Sequence, residues 1–272
     1  MPQATTLRKP IIDALTVVAI AAIAMSFNVA LHEGVHALTC LAVGGRLQEY
    51  SALYAECNSA TVWQMKAVAG SAPIFNLLAG TLFWLIVRHA RKASSEARYF
   101  LWLFMLMNWF YGAGYFIFSG VANIGDYAAV IRGWEPNGLW RVLMTIFGSL
   151  IFVFFIRLAL QEFGKMIGGD PDEQIGRANK LFFLSYGTAV LVILAAGVFC
   201  PYGILGLPVT AGFLAAVGAL SPLLYMTRWL RSKSIPRPIR EPLEIHRKWS
   251  WVITAIFVVS IYAVILGRTL YF

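Results

Sequence analysis

The chain has 272 residues, of which 59% are hydrophobic and only 13% charged, and it carries a net charge of +9. A soluble domain is nearer a quarter charged, so this composition excludes an ordinary soluble enzyme. Apolar runs of membrane-spanning length recur from end to end, with no polar domain, long linker, internal repeat or low-complexity tract, and the chain reads as an all-α polytopic transmembrane bundle.

Seven spans are predicted, the first at roughly residues 14–43. It follows the short segment "MPQATTLRKP" and no A-x-A-like cleavage site comes after it, so a retained helix is expected rather than a signal peptide. From Ile11 to Gly44 only Gly34 interrupts the run. Such a helix would be about 51 Å long at 1.5 Å per residue, against a hydrocarbon core of about 30 Å, so it must tilt or protrude.

Inside this run stands "LHEGVHAL", residues 31–38. His32 and His36 are four residues apart and share one helix face. At that spacing both imidazoles can reach one zinc ion at about 2.0–2.1 Å. Glu33, beside His32, can hold a water at the metal and take its proton, which is the chemistry of the H-E-x-x-H pattern. Asn28 and Cys40 extend the same polar face. A lone intramembrane histidine is commonly a packed core residue. With four His and nine Glu in the chain, however, chance gives this pattern in on the order of a few per thousand chains, and an unpaired glutamate in lipid needs an explanation of its own.

The connection 44–62, "GGRLQEYSALYAECNSATV", alternates in part, and is either a strand or hairpin able to pair with a peptide, or an ordinary loop. The second span, 64–87, contains "VAGSAPIFNLLAG". Gly70, Ser71 and Ala72 allow close helix approach there, and Pro73 frees a backbone carbonyl. Asn76 follows near mid-span, either to hold substrate backbone or an oxyanion or to make an interhelical hydrogen bond.

After the third span, 99–119, comes "GVANIGDYAAV". Gly120 and Gly125 permit a tight turn, and Asp126 is either a third zinc ligand or a helix N-cap. Glu49, Glu56 and Glu135 are the other acidic candidates on that side, whereas His89 and His246 fall on the opposite one.

The remaining spans are 142–161, 181–199, 203–227 and 249–270. Seventeen of the 22 Lys and Arg residues fall on one side of this layout, in the N-terminus and the second, fourth and sixth connections. The positive-inside rule then puts the N-terminus in the cytoplasm and "HEGVH" in the outer half of the membrane. The basic loops suit a membrane surface, not nucleic acid. Most of the tryptophans, Trp102 among them, fall near span ends, where interfacial rings are expected. Cys40 is expected to be inert in the first helix. Cys57 and Cys200 both fall outside and are either a disulfide or two unrelated thiols.

On these residues the chain resembles the site-2-protease-type intramembrane zinc metalloproteases. That family carries H-E-x-x-H on one transmembrane helix, a G-P-x-x-N-type motif on the next, and an aspartate in a later N-x-x-P…D-G motif. The counterparts are His32 to His36, Gly70 to Asn76, and Asn123 to Asp126, so the likeness covers about the first 130 residues. It implies a three-helix metalloprotease-like core over 1–140, with an additional four-helix region over 141–272. It implies Zn2+ held by His32, His36 and Asp126, Glu33 as the catalytic base, and Asn76 at the substrate backbone. The activity implied is hydrolysis of a transmembrane or membrane-proximal peptide in a cell (inner) membrane. The alternative is a non-proteolytic membrane subunit or scaffold with a structural metal site.

Overall fold

The computed structural model describes residues 10–90, 92–232 and 241–272. Of the basic residues behind the charge bias, Arg8, Lys9, Arg91, Lys233, Arg237 and Arg240 lie outside the described residues.

Seven helical segments in the described residues are long and apolar enough to cross a membrane. The protein is an all-α polytopic bundle. The first span is α1 (Ala14–Ala42), started by Asp13, whose carboxylate accepts from the Thr16 amide at 2.9 Å. A hairpin follows, β1 (Arg46–Tyr50) and β2 (Ala55–Asn58). The second span is α2 (Val62–His89), opened by a reciprocal Thr61–Gln64 capping box. The third is α3 (Ser95–Ala122), which ends where Asn123 turns left-handed at φ 56°. A short α4 (Asp126–Val130) leads to α5 (Asn137–Ile167) and α6 (Pro171–Phe199).

The sixth span bends. It is built from α7 (Leu207–Leu220), a 3-10 turn containing Pro222, and α8 (Met226–Leu230). The last joins α9 (Trp249–Ser260) to π and 3-10 turns before the terminal strand β3 (Leu270–Tyr271).

The third span is the centre of the bundle. α3 packs on α2 and α5 and also touches α1 and α7. Its residues from Trp102 to Ala113 are buried without a break, the pattern of a helix enclosed on all sides. Trp102, expected at an interface, is instead fully buried and donates its indole N–H to the Ala159 carbonyl at 2.9 Å. α2 and α5 are peripheral, and leucines such as Leu78, Leu82 and Leu150 are exposed, as lipid-facing positions require. α6 lies along α1, and α7 against α3 and α6, so the helices after residue 140 pack directly on those before it.

The two ends of the bundle differ. At one, Asp13 pairs with Arg247, Lys248 with Glu96, and the Lys180 ammonium with the Ile12 carbonyl. At the other lies a sheet of order β2-β1-β3. β1 is antiparallel to both neighbours, with Leu47 opposite Cys57 and Tyr50 opposite Leu270. The hairpin alternative for 44–62 is therefore the observed one.

The cysteine pairing differs from expectation. Cys57 is bonded to Cys40, and the free, buried thiol is Cys200. β2 folds back over the end of α1 and brings the two Cα atoms to 5.9 Å, a distance that sequence spacing does not reveal. A Cβ on Gly45 would lie 2.8 Å from the Cys57 sulfur, so glycine lets the strand approach.

Candidate metal centre

The polar face of α1 points inward. Asn28, His32, His36 and Cys40 are all buried at four-residue spacing, with Glu33 beside them at 7% exposure. A helical rise of about 1.5 Å per residue puts His32 about 28 Å from Asp13, in the half of the bundle that carries the sheet.

The third element arrives from the turn after α3. Asn123 and Gly125 both have positive φ, Gly125 at 86°, and they reverse the chain so that α4 begins at Asp126. Gly125 combines φ 86° with ψ −171°, a conformation open only to glycine. The N-cap alternative for Asp126 does not hold, because the capping position is Gly125 and no side chain caps the helix.

The turn delivers one carboxylate oxygen to both imidazoles. Asp126 Oδ2 lies 3.2 Å from His32 Nε2 and 3.4 Å from His36 Nε2. Ligand atoms around a tetrahedral ion with bonds of about 2.0–2.1 Å are separated by about 3.3 Å. The three donor atoms all fall within 4.8 Å of one another.

The hydrogen bonds behind the histidines decide which ring nitrogens face this point. The Phe104 carbonyl can only accept, so Asn108 turns its Nδ2 to it at 2.8 Å. Asn108 Oδ1 then accepts from Asn76 Nδ2 at 2.9 Å. Asn76 is thereby left with its Oδ1 facing His32 Nδ1 at 2.5 Å, and that nitrogen must be the donor. A backbone carbonyl on α3 thus dictates, through two amides, that His32 Nδ1 is the donor to Asn76 and that Nε2 is the ring nitrogen facing Asp126. His36 Nδ1 donates to the Val68 carbonyl at 2.7 Å with the same result.

His32 Nε2 and Asp126 Oδ2 are both buried and make no hydrogen bond. Two imidazole nitrogens and a carboxylate oxygen converging at this depth leave a point that a cation can occupy. Two imidazoles with anchored outer nitrogens and one carboxylate are a donor set that suits zinc.

A cavity of about 790 Å³ opens beside His32, His36 and Asp126. Glu33 lines it, as do Ala55, Glu56 and Cys57 of β2, and so do Tyr202 and α7 residues from the second half of the chain. Among the described residues no hydrogen bond or ion pair reaches the Glu33 carboxylate. Of the other acidic candidates, Glu49 accepts from Tyr54 at 2.7 Å, and Glu135 accepts from the Asn137 amide at 3.2 Å.

Asn76 does not stand where the resemblance implies. It is fully buried, is absent from the cavity wall, and commits its amide to His32 and Asn108. Sequence reasoning also passed over Asn108, whose amide in the apolar run "LMNWFYGAGY" was a usable signal. It passed over Tyr115 as well, which stacks on the His32 ring at 5.1 Å between centroids. Compared with protein-family models, with curated proteins and with solved structures, the chain matches none of them.

Proposed function

We propose that the protein is an intramembrane zinc-dependent endopeptidase. The observation that carries this reading is the convergence of His32, His36 and Asp126 on one point, with Glu33 beside them on the wall of an open cavity. A purely structural metal site is closed by four protein ligands, whereas a hydrolytic one keeps three ligands and an open position.

A zinc ion held by His32, His36 and Asp126 would supply Lewis acidity to a water and to the scissile carbonyl. Glu33 takes the water proton and returns it to the leaving amine. Asn76 and the Val68 carbonyl hold the two imidazoles in orientation and tautomer. Asn76 acts through His32 in this reading and is a positioning residue. The substrate is a transmembrane or membrane-proximal peptide, locally unwound because a helix sequesters its carbonyls. Among the described residues β2 pairs with β1 alone, and it lines the cavity. Its outer edge is placed to take such a peptide as an added strand.

The seven spans place the protein in a membrane. We assign that to a cell membrane, with the N-terminus cytoplasmic and the metal centre toward the outer face, from the charge bias. The test is metal content. Purified wild-type chain should hold one zinc and cleave a membrane peptide in proteoliposomes, and His36→Ala should lose both. Stoichiometric zinc without cleavage of any membrane peptide would instead point to a non-proteolytic subunit.

A further inference from the structure

A second cavity, of about 400 Å³, lies between α3, α5 and α7. Tyr111, Tyr115, Phe118 and Ala215 line both this cavity and the one at the metal centre. Helical spacing on α7 explains the arrangement. Ala211 and Ala215 face the metal cavity, while Ala215 and Gly218, with Leu214, face the second. The short side chains of "AGFLAAVGAL" leave space that leucines would fill. The other walls are mostly apolar, among them Ile117, Val121 and Phe152, with Ser221 the polar exception.

A second feature asks for a ligand at the shared wall. Tyr111 borders both cavities, and no hydrogen bond to a described residue occupies its phenol. The neighbouring Tyr115 stacks on His32 and lines the metal cavity with Glu33 and Asp126, so the wall is next to the reacting point.

We propose that the cavity between α3, α5 and α7 is a specificity pocket that takes a large, uncharged apolar side chain (Leu, Phe, Ile or Met) from the residue flanking the scissile bond. Tyr111 hydrogen-bonds that residue's backbone. The occupant follows from the walls: they offer no charge, and they join the metal cavity at the tyrosine stacked on His32. A volume of about 400 Å³ holds many times the roughly 30 Å³ share of one water and accommodates such a side chain with room to spare. The inference rests on the metal-centre reading but not on turnover.

Gly218 supplies the test. A Cβ built there has no heavy atom within 4 Å, so Gly218→Leu fills the pocket without meeting backbone. Gly218→Ala is the milder variant should the leucine disturb folding. The probes are peptides ending in a zinc-chelating hydroxamate and carrying Gly, Leu or Phe next to it, titrated calorimetrically into the zinc-loaded full chain in nanodiscs. The wild type should bind the Leu and Phe probes tighter than the Gly probe by on the order of tenfold or more. Gly218→Ala should shrink that ratio, and Gly218→Leu should abolish it while leaving Gly-probe affinity unchanged.

Equal affinities for all probes in the wild type, or a preference untouched by Gly218→Leu, would overturn the proposal. So would loss of a co-purifying phospholipid in Gly218→Leu with no change in probe preference, since the occupant would then be an acyl chain. A protein that shows the probe preference yet cleaves no peptide would overturn the proteolytic reading and leave the pocket standing. Cleavage indifferent to side-chain size would do the reverse.

Discussion

Replacing Asn76 with leucine removes the acceptor that orients His32 while keeping the side chain's approximate volume. Asn76 is fully buried between His32, Asn108 and Asn28, so no water takes its place. Loss of such an outer partner lowers metal affinity by about 10–100-fold, or about 1.4–2.8 kcal/mol at about 1.4 kcal/mol per tenfold. The His32 Nδ1–H and the Asn108 carbonyl oxygen are left bare as well, each at about 1–3 kcal/mol of stability. Asn76→Asp separates these effects. A carboxylate still accepts from His32 Nδ1 but no longer donates to Asn108, so zinc affinity should hold while stability falls. The assay is zinc competition against a chelator of known affinity, beside thermal unfolding of the metal-free proteins. A folded Asn76→Leu protein that binds zinc as tightly as the wild type would refute the reasoning.

The Cys40–Cys57 bridge closes a short loop, so Cys57→Ser should lower stability by about 3 kcal/mol on a chain-entropy basis, and alkylation of the unreduced, denatured wild type should label only Cys200. Asp13 is held down to about 2, chiefly by its hydrogen bonds from Arg247, from an ordinary 3.8. Because the folded pKa is depressed, the stability contributed by this pair is complete above about pH 4–5 and is lost as pH falls through about 2. The gap in melting temperature between wild type and Asp13→Asn should therefore be widest near neutral pH and close on acidification, and a gap that persists at pH 2 would contradict this. A reporter active only in the cytoplasm should work when fused after Lys92 and be silent when inserted at Cys57, and the opposite pattern would invert the proposed orientation.

The helices were legible because burial in lipid demands long apolar runs, and each of the seven runs read from the sequence became a span. His32 and His36 were legible because a four-residue spacing is a local property of a helix. Asp126 was only half legible. Its role depended on the turn at Asn123 and Gly125, and a carboxylate before "YAAV" fits a cap equally well until Gly125 is seen to occupy that position. What stayed hidden was non-local. Cys40 found Cys57 because a strand folded back over α1, and Asn76 served His32 because Asn108 took its other end. The contribution of α7 to both cavities came from its packing on α3, three spans earlier in the chain.

The most direct test of the central claim is Glu33→Gln. The amide keeps the size and hydrogen-bonding ability of the carboxylate but cannot take a proton from water. Zinc content and fold should match the wild type, because His32, His36 and Asp126 are untouched, while cleavage of a membrane peptide in proteoliposomes should disappear. Cleavage by the Glu33→Gln protein at a rate near that of the wild type, even with zinc in place, would contradict the proteolytic mechanism.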